Sequence, residues 1–289
     1  PVVIRGEGDA PPANPGPAAT RPAPAPPIPP TPSTNPTPAP KPSPTPKPER
    51  PRVAPVCRVQ RVTTSVFAGS AYRPAMPDRM YVLVSVLLEA GSDRISFRTA
   101  GDAAILEFDG GIYESLGSPG PDASGFDPAV EDELKIDAHG SRRVTLVFHV
   151  KVDSGQGVLS LRGFASKVSL GPLSPEDSPA AQTLAGEFAE RPPRALKPLL
   201  RDPVMASLQG AGGHRLFLAA DGQALRIAVP EAQVVGSATR SGPGLYAAKL
   251  RRGEAVLDAK LRFFDAGRGA VLYLADEPFH QLTYARRKE

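Results

Sequence analysis

The residues that could do chemistry are few, since the chain has four histidines and one cysteine among 289 residues. No two of the histidines have HxH, HxxxH or HExxH spacing, so no local motif supports a metal site; they are His139, His149, His214 and His280. No Gly-x-Ser-x-Gly nucleophile elbow occurs either. Cys57 would need a paired histidine and a lowered pKa to act as a nucleophile, and we interpret it as a partly buried thiol at a domain edge. The sequence therefore predicts no catalytic residue, no cofactor and no metal, and a protein that is not an enzyme.

Acidic residues cluster in one stretch, at Asp122, Asp127, Glu131, Asp132 and Glu133. Paired carboxylates serve glycosidases, and cages of oxygen atoms bind calcium. Prolines interrupt this cluster, and it lacks the Asp-x-Asp-x-Asp-Gly spacing of a calcium loop. We interpret it as a solvated acidic loop, with weak calcium binding as the alternative.

Basic residues are concentrated towards the C-terminus. The formal net charge is +4, and residues 203–289 carry 12 Lys and Arg against 8 Asp and Glu. That balance is far below the dense basic stripe of a nucleic-acid binder, so we expect no nucleic-acid partner. The segment predicts an exposed surface for an anionic partner, formed by Lys249, Arg251, Arg252, Lys260, Arg262, Arg268, Arg286 and Arg287. A solvated basic face without a partner is the alternative.

Proline defines the organisation of the chain, because 20 of its 36 prolines lie between Pro11 and Pro55. Such a tract favours the polyproline II conformation and acts as a semi-rigid spacer with a reach on the order of 100 Å. It cannot bury enough apolar surface to offset chain entropy. Residues 1–56 are therefore a predicted disordered tether.

Downstream of Cys57 the chain changes to short runs of Val, Leu, Ile and Phe separated by Gly, Asp and Pro turns, which is typical of all-β folds. In residues 57–170 the predicted strands are Arg58–Phe67, Met80–Glu89, Arg94–Arg98, Ala104–Phe108, Ile112–Ser115, Glu133–Asp137, Arg143–Val152, Val158–Arg162 and Ser166–Leu170. In residues 203–289 they are Arg215–Ala219, Ala224–Val229, Gln233–Thr239, Leu245–Leu250, Val256–Phe264, Ala270–Ala275 and Phe279–Ala285. Short, evenly spaced turns make the second set an antiparallel meander.

Residues 171–202 are a predicted linker with a short helix. Ser178 followed by Pro179 is a good helix start, and Leu184 and Phe188 would share one face, so the pattern predicts a helix near Pro179–Glu190. A second helix is predicted at Pro203–Leu208, and Asp202 is its expected N-cap.

Residues 57–170 resemble the telokin-like, immunoglobulin-like sandwich domains of bacterial lipoproteins and cell-surface proteins. The resemblance rests on Tyr81–Glu89, Leu106–Tyr113, Glu133–Gly140 and Arg143–Val150, which are similar to that family's central strand, hairpin and closing strands. It implies an immunoglobulin-like β-sandwich for residues 57–170, and the meander pattern of residues 203–289 separately predicts a second antiparallel β domain. The resemblance also implies an extracytoplasmic position, since such domains follow an anchor and a low-complexity linker.

The prediction for function is a non-enzymatic extracytoplasmic protein that presents two β domains on a Pro-rich spacer, for structural or partner-binding work. The alternative is the sensor or accessory region of a larger membrane-anchored protein. The expected partner is a protein or a cell-envelope surface, and self-association is compatible with the pattern. No apolar run is long enough for a transmembrane helix. The chain begins at Pro1, so we expect anchoring or processing upstream.

Overall fold

The fold was obtained as a computed structural model, which describes residues 51–68, 73–120, 129–176, 179–191, 195–196, 202–210, 213–275 and 280–287. Strands hold 63% of these residues and helices 6%, so the predicted all-β class with antiparallel sheets is confirmed. Residues 1–50 of the predicted tether lie outside the described residues, and so do residues 121–128 of the predicted acidic loop.

The strands and helices follow one another along the chain in two groups. The first group is β1 Val56–Ser65, β2 Arg79–Glu89, β3 Ile95–Arg98, β4 Ala100–Phe108, β5 Gly111–Pro119, β6 Ala129–Val130, β7 Glu133–Ile136, β8 Ser141–Lys151, β9 Gly155–Leu161 and β10 Val168–Leu173. The second is α1 Ala181–Leu184, β11 Gly186–Glu190, β12 Ala195–Leu196, α2 Pro203–Gly210, β13 Arg215–Asp221, β14 Ala224–Val229, a 3₁₀ turn Pro230–Ala232, β15 Val234–Gly242, β16 Leu245–Arg252, β17 Ala255–Phe264, β18 Gly269–Tyr273 and β19 His280–Arg286.

The first barrel is the curled sheet β1-β2-β8-β5-β4-β9-β10, with β6 added to β5 and the separate pair β3–β7 beside it. The predicted strand Met80–Glu89 is confirmed as β2, which lies inside the sheet because it pairs with β1 on one side and with β8 on the other. Val82, Val84 and Val86 point inward and are fully buried. They face Phe148, Leu146 and Val144 of β8 in register, which gives the core a row of apolar cross-strand pairs. An immunoglobulin-like sandwich is not confirmed, and this nearly closed barrel fits it poorly.

The second barrel is closed. Strands β13 to β19 are neighbours in chain order, and β11 pairs with both β13 and β19, which completes the ring. Helix α2 covers the interior, because Val204 and Leu208 are fully buried in the same core as Leu261 and Tyr284. Asp202 caps this helix as predicted, accepting hydrogen bonds of 2.8 and 3.0 Å on one oxygen from the amides of Val204 and Met205.

The predicted helix over Pro179–Glu190 is wrong beyond its first turn. Helix α1 ends at Leu184, and Gly186, with φ of +151°, starts strand β11 instead. Phe188 then points into the second barrel and is fully buried. The spacing of Leu184 and Phe188 matched a helix, but burying the Phe188 ring inside the barrel overrides this local preference.

The two barrels meet through the outer face of β18. All five residues of β18 are buried, because one face lies inside the second barrel and the other is covered by the first. Val66 of the first barrel packs there against Val271 and Tyr273. Arg50–Glu289 is one compact unit that contains both hydrophobic cores. The sequence-derived limits of two separate domains stay a prediction.

Candidate anion-binding pocket

A pocket of about 380 Å³ lies where the β17–β18 turn meets the ends of β11 and β19. We call it the arginine pocket; its lining residues are Arg191, Phe264, Asp265, Arg268, Gly269, Ala285, Arg286 and Arg287. Three of the eight basic residues predicted for an anionic partner line it, namely Arg268, Arg286 and Arg287. Arg191 is a fourth lining arginine, and it was not predicted because it directly follows the predicted helix Pro179–Glu190, outside the basic segment 203–289.

The β17–β18 turn positions Arg268. Asp265, Ala266 and Gly267 all have positive φ, between 51° and 81°. The amides of Asp265 and Ala266 donate to the two carboxylate oxygens of Glu176, at 3.2 and 2.7 Å. Gly267 is required here, because a Cβ at this position would lie 2.7 Å from Leu184 Cδ2. The turn is therefore fixed by contacts outside itself, and Arg268 follows it directly.

The ends of the strands position the other arginines. The amide of Arg286 donates to the carbonyl of Arg268 at 2.8 Å, and the amide of Arg191 donates to the carbonyl of Thr283 at 2.8 Å. The amide of Arg287 donates to the carbonyl of Glu187 at 3.0 Å, which extends the contact of β19 with β11. Backbone pairing thus brings residues distant in the sequence to one pocket.

The four guanidinium groups are engaged differently. Arg268 pairs with Asp265, and Arg287 pairs with Glu187 at 2.8 Å; their side chains are 73% and 63% exposed. Arg286 donates to the carbonyls of Thr183 and Ala185 at 2.7 and 2.6 Å, so it holds the end of α1.

Arg191 has no carboxylate partner among the described residues, and the carbonyls that Arg286 contacts are uncharged. Two of the four guanidinium groups are therefore not neutralised by an ion pair with a described carboxylate, and the carboxylate of Glu176 contacts the amides of the β17–β18 turn instead. Guanidinium groups bind carboxylates and phosphates through paired N–H donors. The lining therefore suits an anionic group of that kind.

The rest of the predicted basic surface lies elsewhere. Lys249 and Lys260 line a shallow groove of about 500 Å³ on the outer wall of β15–β18, where Lys249 stands opposite Asp258 in the β16–β17 register. Arg251 and Arg252 are exposed at the end of β16. The structure thus divides the predicted surface into separate places.

Arg262 does not belong to the exposed surface, which corrects that part of the prediction. It is 2% exposed and donates to the backbone carbonyls of Met76 and Arg79 in the first barrel. Arg262 lies on the outward face of β17, but the first barrel covers that part of the face. Burial lowers the pKa of Arg262.

The histidines are scattered. His139 lies in an exposed turn with φ of +61°, and His149 stacks on Tyr81 with a ring separation of 4.9 Å. His214 is fully buried with Nε2 3.1 Å from the carbonyl of Leu208, and His280 is 4% exposed. Within the described ranges, no three His, Cys, Asp or Glu side chains form a group that could hold a metal ion.

The acidic cluster is described only in part, since Asp122 and Asp127 lie outside the described residues. Glu131 lies 3.7 Å from Arg98, and Glu133 accepts a hydrogen bond from Ser96 that lowers its pKa. The backbone of Asp132 is paired with Thr99. These three residues therefore belong to a bridge between strands β7 and β3.

The prediction for Cys57 is confirmed, because it is a free, partly buried thiol on β1. Burial raises its pKa to about 11. A thiol with such a pKa is almost wholly protonated at neutral pH, which opposes a nucleophilic role.

The chain was compared with protein-family models, curated proteins and solved structures. No protein-family model, curated protein or solved structure matches the chain. Neither of the α-helices in the described ranges has the length and apolar character needed to cross a membrane.

Proposed function

We propose that this is a non-enzymatic, extracytoplasmic partner-binding protein that recognises an anionic group, a carboxylate or a phosphate, in the arginine pocket. The observation that supports it is the convergence of four arginines from three separate chain segments on one concave site. Only two of them are balanced by carboxylates in the described structure.

The chemistry of the lining also favours binding over catalysis. Asp265 is the only acid among the described residues of the lining, and Arg268 already pairs with that carboxylate. A bound anion would add a second acceptor for Arg268 and Arg287 and a first charged partner for Arg191. Because these side chains are exposed, the interaction is screened over a Debye length of about 8 Å at physiological salt. Binding is therefore weak and sensitive to ionic strength.

The extracytoplasmic position belongs to the same proposal. It is supported by the Pro-rich tract ahead of the barrels and by the resemblance of residues 57–170 to the telokin-like, immunoglobulin-like domains. The same resemblance is the basis for proposing an immunoglobulin-like sandwich as the fold of that segment. The tract would then hold the pocket away from the surface to which the chain is attached.

The test is a calorimetric titration of the full chain with tripolyphosphate at low and physiological salt. In the variant R268Q/R287Q the affinity is expected to fall about tenfold or more, which corresponds to roughly 1.4 kcal/mol. The matched control R251Q/R252Q removes the same two charges from exposed positions outside the pocket. Its affinity is expected to stay within about twofold of the unchanged chain.

Two further ligands identify the source of the anion. Citrate tests a carboxylate, and vesicles of equal parts phosphatidylcholine and phosphatidylglycerol test a lipid phosphate. Equal losses in both variants would show a diffuse basic face instead of a pocket. Absence of binding to all three ligands at low salt would refute the proposal.

A further inference from the structure

The two barrels differ by one strand. In the second barrel, β13 to β19 are seven antiparallel neighbours, so the first and last of them run in the same direction. They cannot close on each other with an antiparallel ladder. Strand β11 closes the barrel because it lies between β13 and β19 and is antiparallel to both.

The first barrel also has seven antiparallel neighbours, but its described residues include no added strand in the position that β11 takes in the second barrel. Its order β1-β2-β8-β5-β4-β9-β10 is also seven strands with antiparallel pairing throughout, so β1 and β10 run in the same direction. Within the described ranges no ladder joins them. They converge at their C-terminal ends, where Thr64 Oγ1 donates to the carbonyl of Ser174 at 2.8 Å. The gap is therefore at the other end, between the starts of β1 and β10.

The core is incompletely covered at this gap. Inward side chains in the first half of each edge strand are only partly buried; they are Cys57 and Val59 on β1 and Leu170 on β10. By contrast, the inward residues Val82 and Val84 on β2 are fully buried. In the second barrel, Phe188 of β11 and its neighbours Leu216 and Tyr284 are also fully buried.

We propose that the gap between β1 and β10 is a strand-addition site for an extended segment of a partner protein, which would run antiparallel to both strands as β11 does in the second barrel. Backbone hydrogen bonds would supply the affinity, as in other cases of β-strand addition. Alternate side chains would be apolar and cover Cys57 and Val59.

The two edges also fix the length and the charge of the segment. The register of β1 shifts between Val59 and Arg61, and Pro172 of β10 has no N–H to donate. The ladder is thus confined to the first residues of each strand. The outward charged residues of β1 are Arg58, which pairs with Glu89, and Arg61, which has no acidic partner among the described residues. Arg61 lies just beyond this ladder, so the N-terminal end of the added segment, which would lie beside it, is acidic.

Cys57 provides the test, because it is the only cysteine and lies, partly buried, at the start of the edge strand β1. The probe is the blocked synthetic peptide Glu-Val-Glu-Val-Glu-Val-Glu, added to the full chain. It is expected to slow maleimide labelling of Cys57 about tenfold. It is also expected to protect the amides of residues 56–59 and 168–170 from hydrogen exchange. The same peptide with alternate amides N-methylated is the matched control and should do neither.

A charge reversal tests the chemistry of the segment. R61E is expected to weaken the Glu peptide about tenfold and to favour a peptide with Lys in place of Glu. R142E, at an exposed position on β8, is the control and should change neither affinity. Hydrogen exchange of C57S with the Glu peptide keeps the result independent of the thiol.

Other occupants give different outcomes. If deleting residues 1–10 exposes Cys57, the N-terminus of the chain itself fills the gap. If the protection of Cys57 without peptide grows with protein concentration, a second copy fills it. Either result, or no protection at saturating Glu peptide, overturns the proposal.

Discussion

The hydroxyl of Tyr273 donates a hydrogen bond of 2.7 Å to the backbone carbonyl of Ala75, and both residues are buried where the two barrels meet. The residues are 198 positions apart in the chain. Burial raises the pKa of Tyr273, so its hydroxyl stays protonated and remains a donor. The contact makes the stability of one barrel depend on the other.

Replacing Tyr273 with Phe is expected to destabilise the protein by about 1–3 kcal/mol, because the carbonyl of Ala75 loses its donor without regaining water. Urea unfolding followed by circular dichroism measures this change. Y113F is the control, since Tyr113 is only partly buried on β5, and its effect should stay within about 0.5 kcal/mol. Equal effects of the two variants would contradict a role for the contact between the barrels.

Replacing Arg262 with Ala is expected to cost on the order of 2–3 kcal/mol, since two partly buried carbonyls lose a charged donor and a buried side chain is removed. The control is R268A, which removes an arginine whose side chain is 73% exposed. Its cost should be within about 0.5 kcal/mol. Thermal unfolding of both variants distinguishes the buried arginine from the surface one, and an R262A variant as stable as R268A would disprove the assignment.

His149 is expected to make the protein less stable in mild acid. Burial, followed by the neighbouring charges of Arg79 and Arg73, lowers its pKa to about 4, from the ordinary value of 6.5. Between these two pH values the unfolded chain binds a proton that the folded chain does not. Stability therefore rises with pH through this window and is lost as the pH falls, by up to about 3 kcal/mol in total.

The measurement is the free energy of unfolding of the unchanged chain and of H149F from pH 7 to pH 4. H149F retains an aromatic ring against Tyr81 and should lose most of the slope. H139N is the control, because Asn tolerates the left-handed conformation of that exposed turn. The same slope in H149F as in the unchanged chain would count against His149 as its source.

Strand β11 is expected to be the least replaceable part of the second barrel. F188A removes a fully buried ring and should cost about 3–5 kcal/mol. F217A, on the partly exposed outer wall of β13, should cost clearly less. Chemical unfolding compares the two, and a similar cost would mean that β11 does not close the core.

The strands were predictable because their signal is local. Val82, Val84 and Val86 alternate with less buried residues, and Asp221-Gly222 and Gly253 mark turns between strands that the structure confirms. Strand β11 was not predictable in this way, because Phe188 belongs to the barrel only through partners far away in the chain. Long-range pairing decided its conformation.

The same limit explains the basic residues. Charge and strand pattern place Arg262 and Lys260 on the outward face of β17, but they contain no information about which outward face another barrel covers. Arg191 joins the arginine pocket through the pairing of its backbone with Thr283. The pocket is therefore a product of the fold, and its composition could not be read from any one segment.

The contact between the barrels has a consequence for how its two sides can vary. Arg262 and Tyr273 donate to the main chain of Ala75, Met76 and Arg79, so the side chains of Met76 and Arg79 supply none of these acceptors. Substitutions at those two positions can accumulate without breaking the bonds, whereas Arg262 and Tyr273 cannot change freely. Related sequences should therefore vary more at Met76 and Arg79 than at Arg262 and Tyr273. Few correlated substitutions are expected between the two sides of this contact.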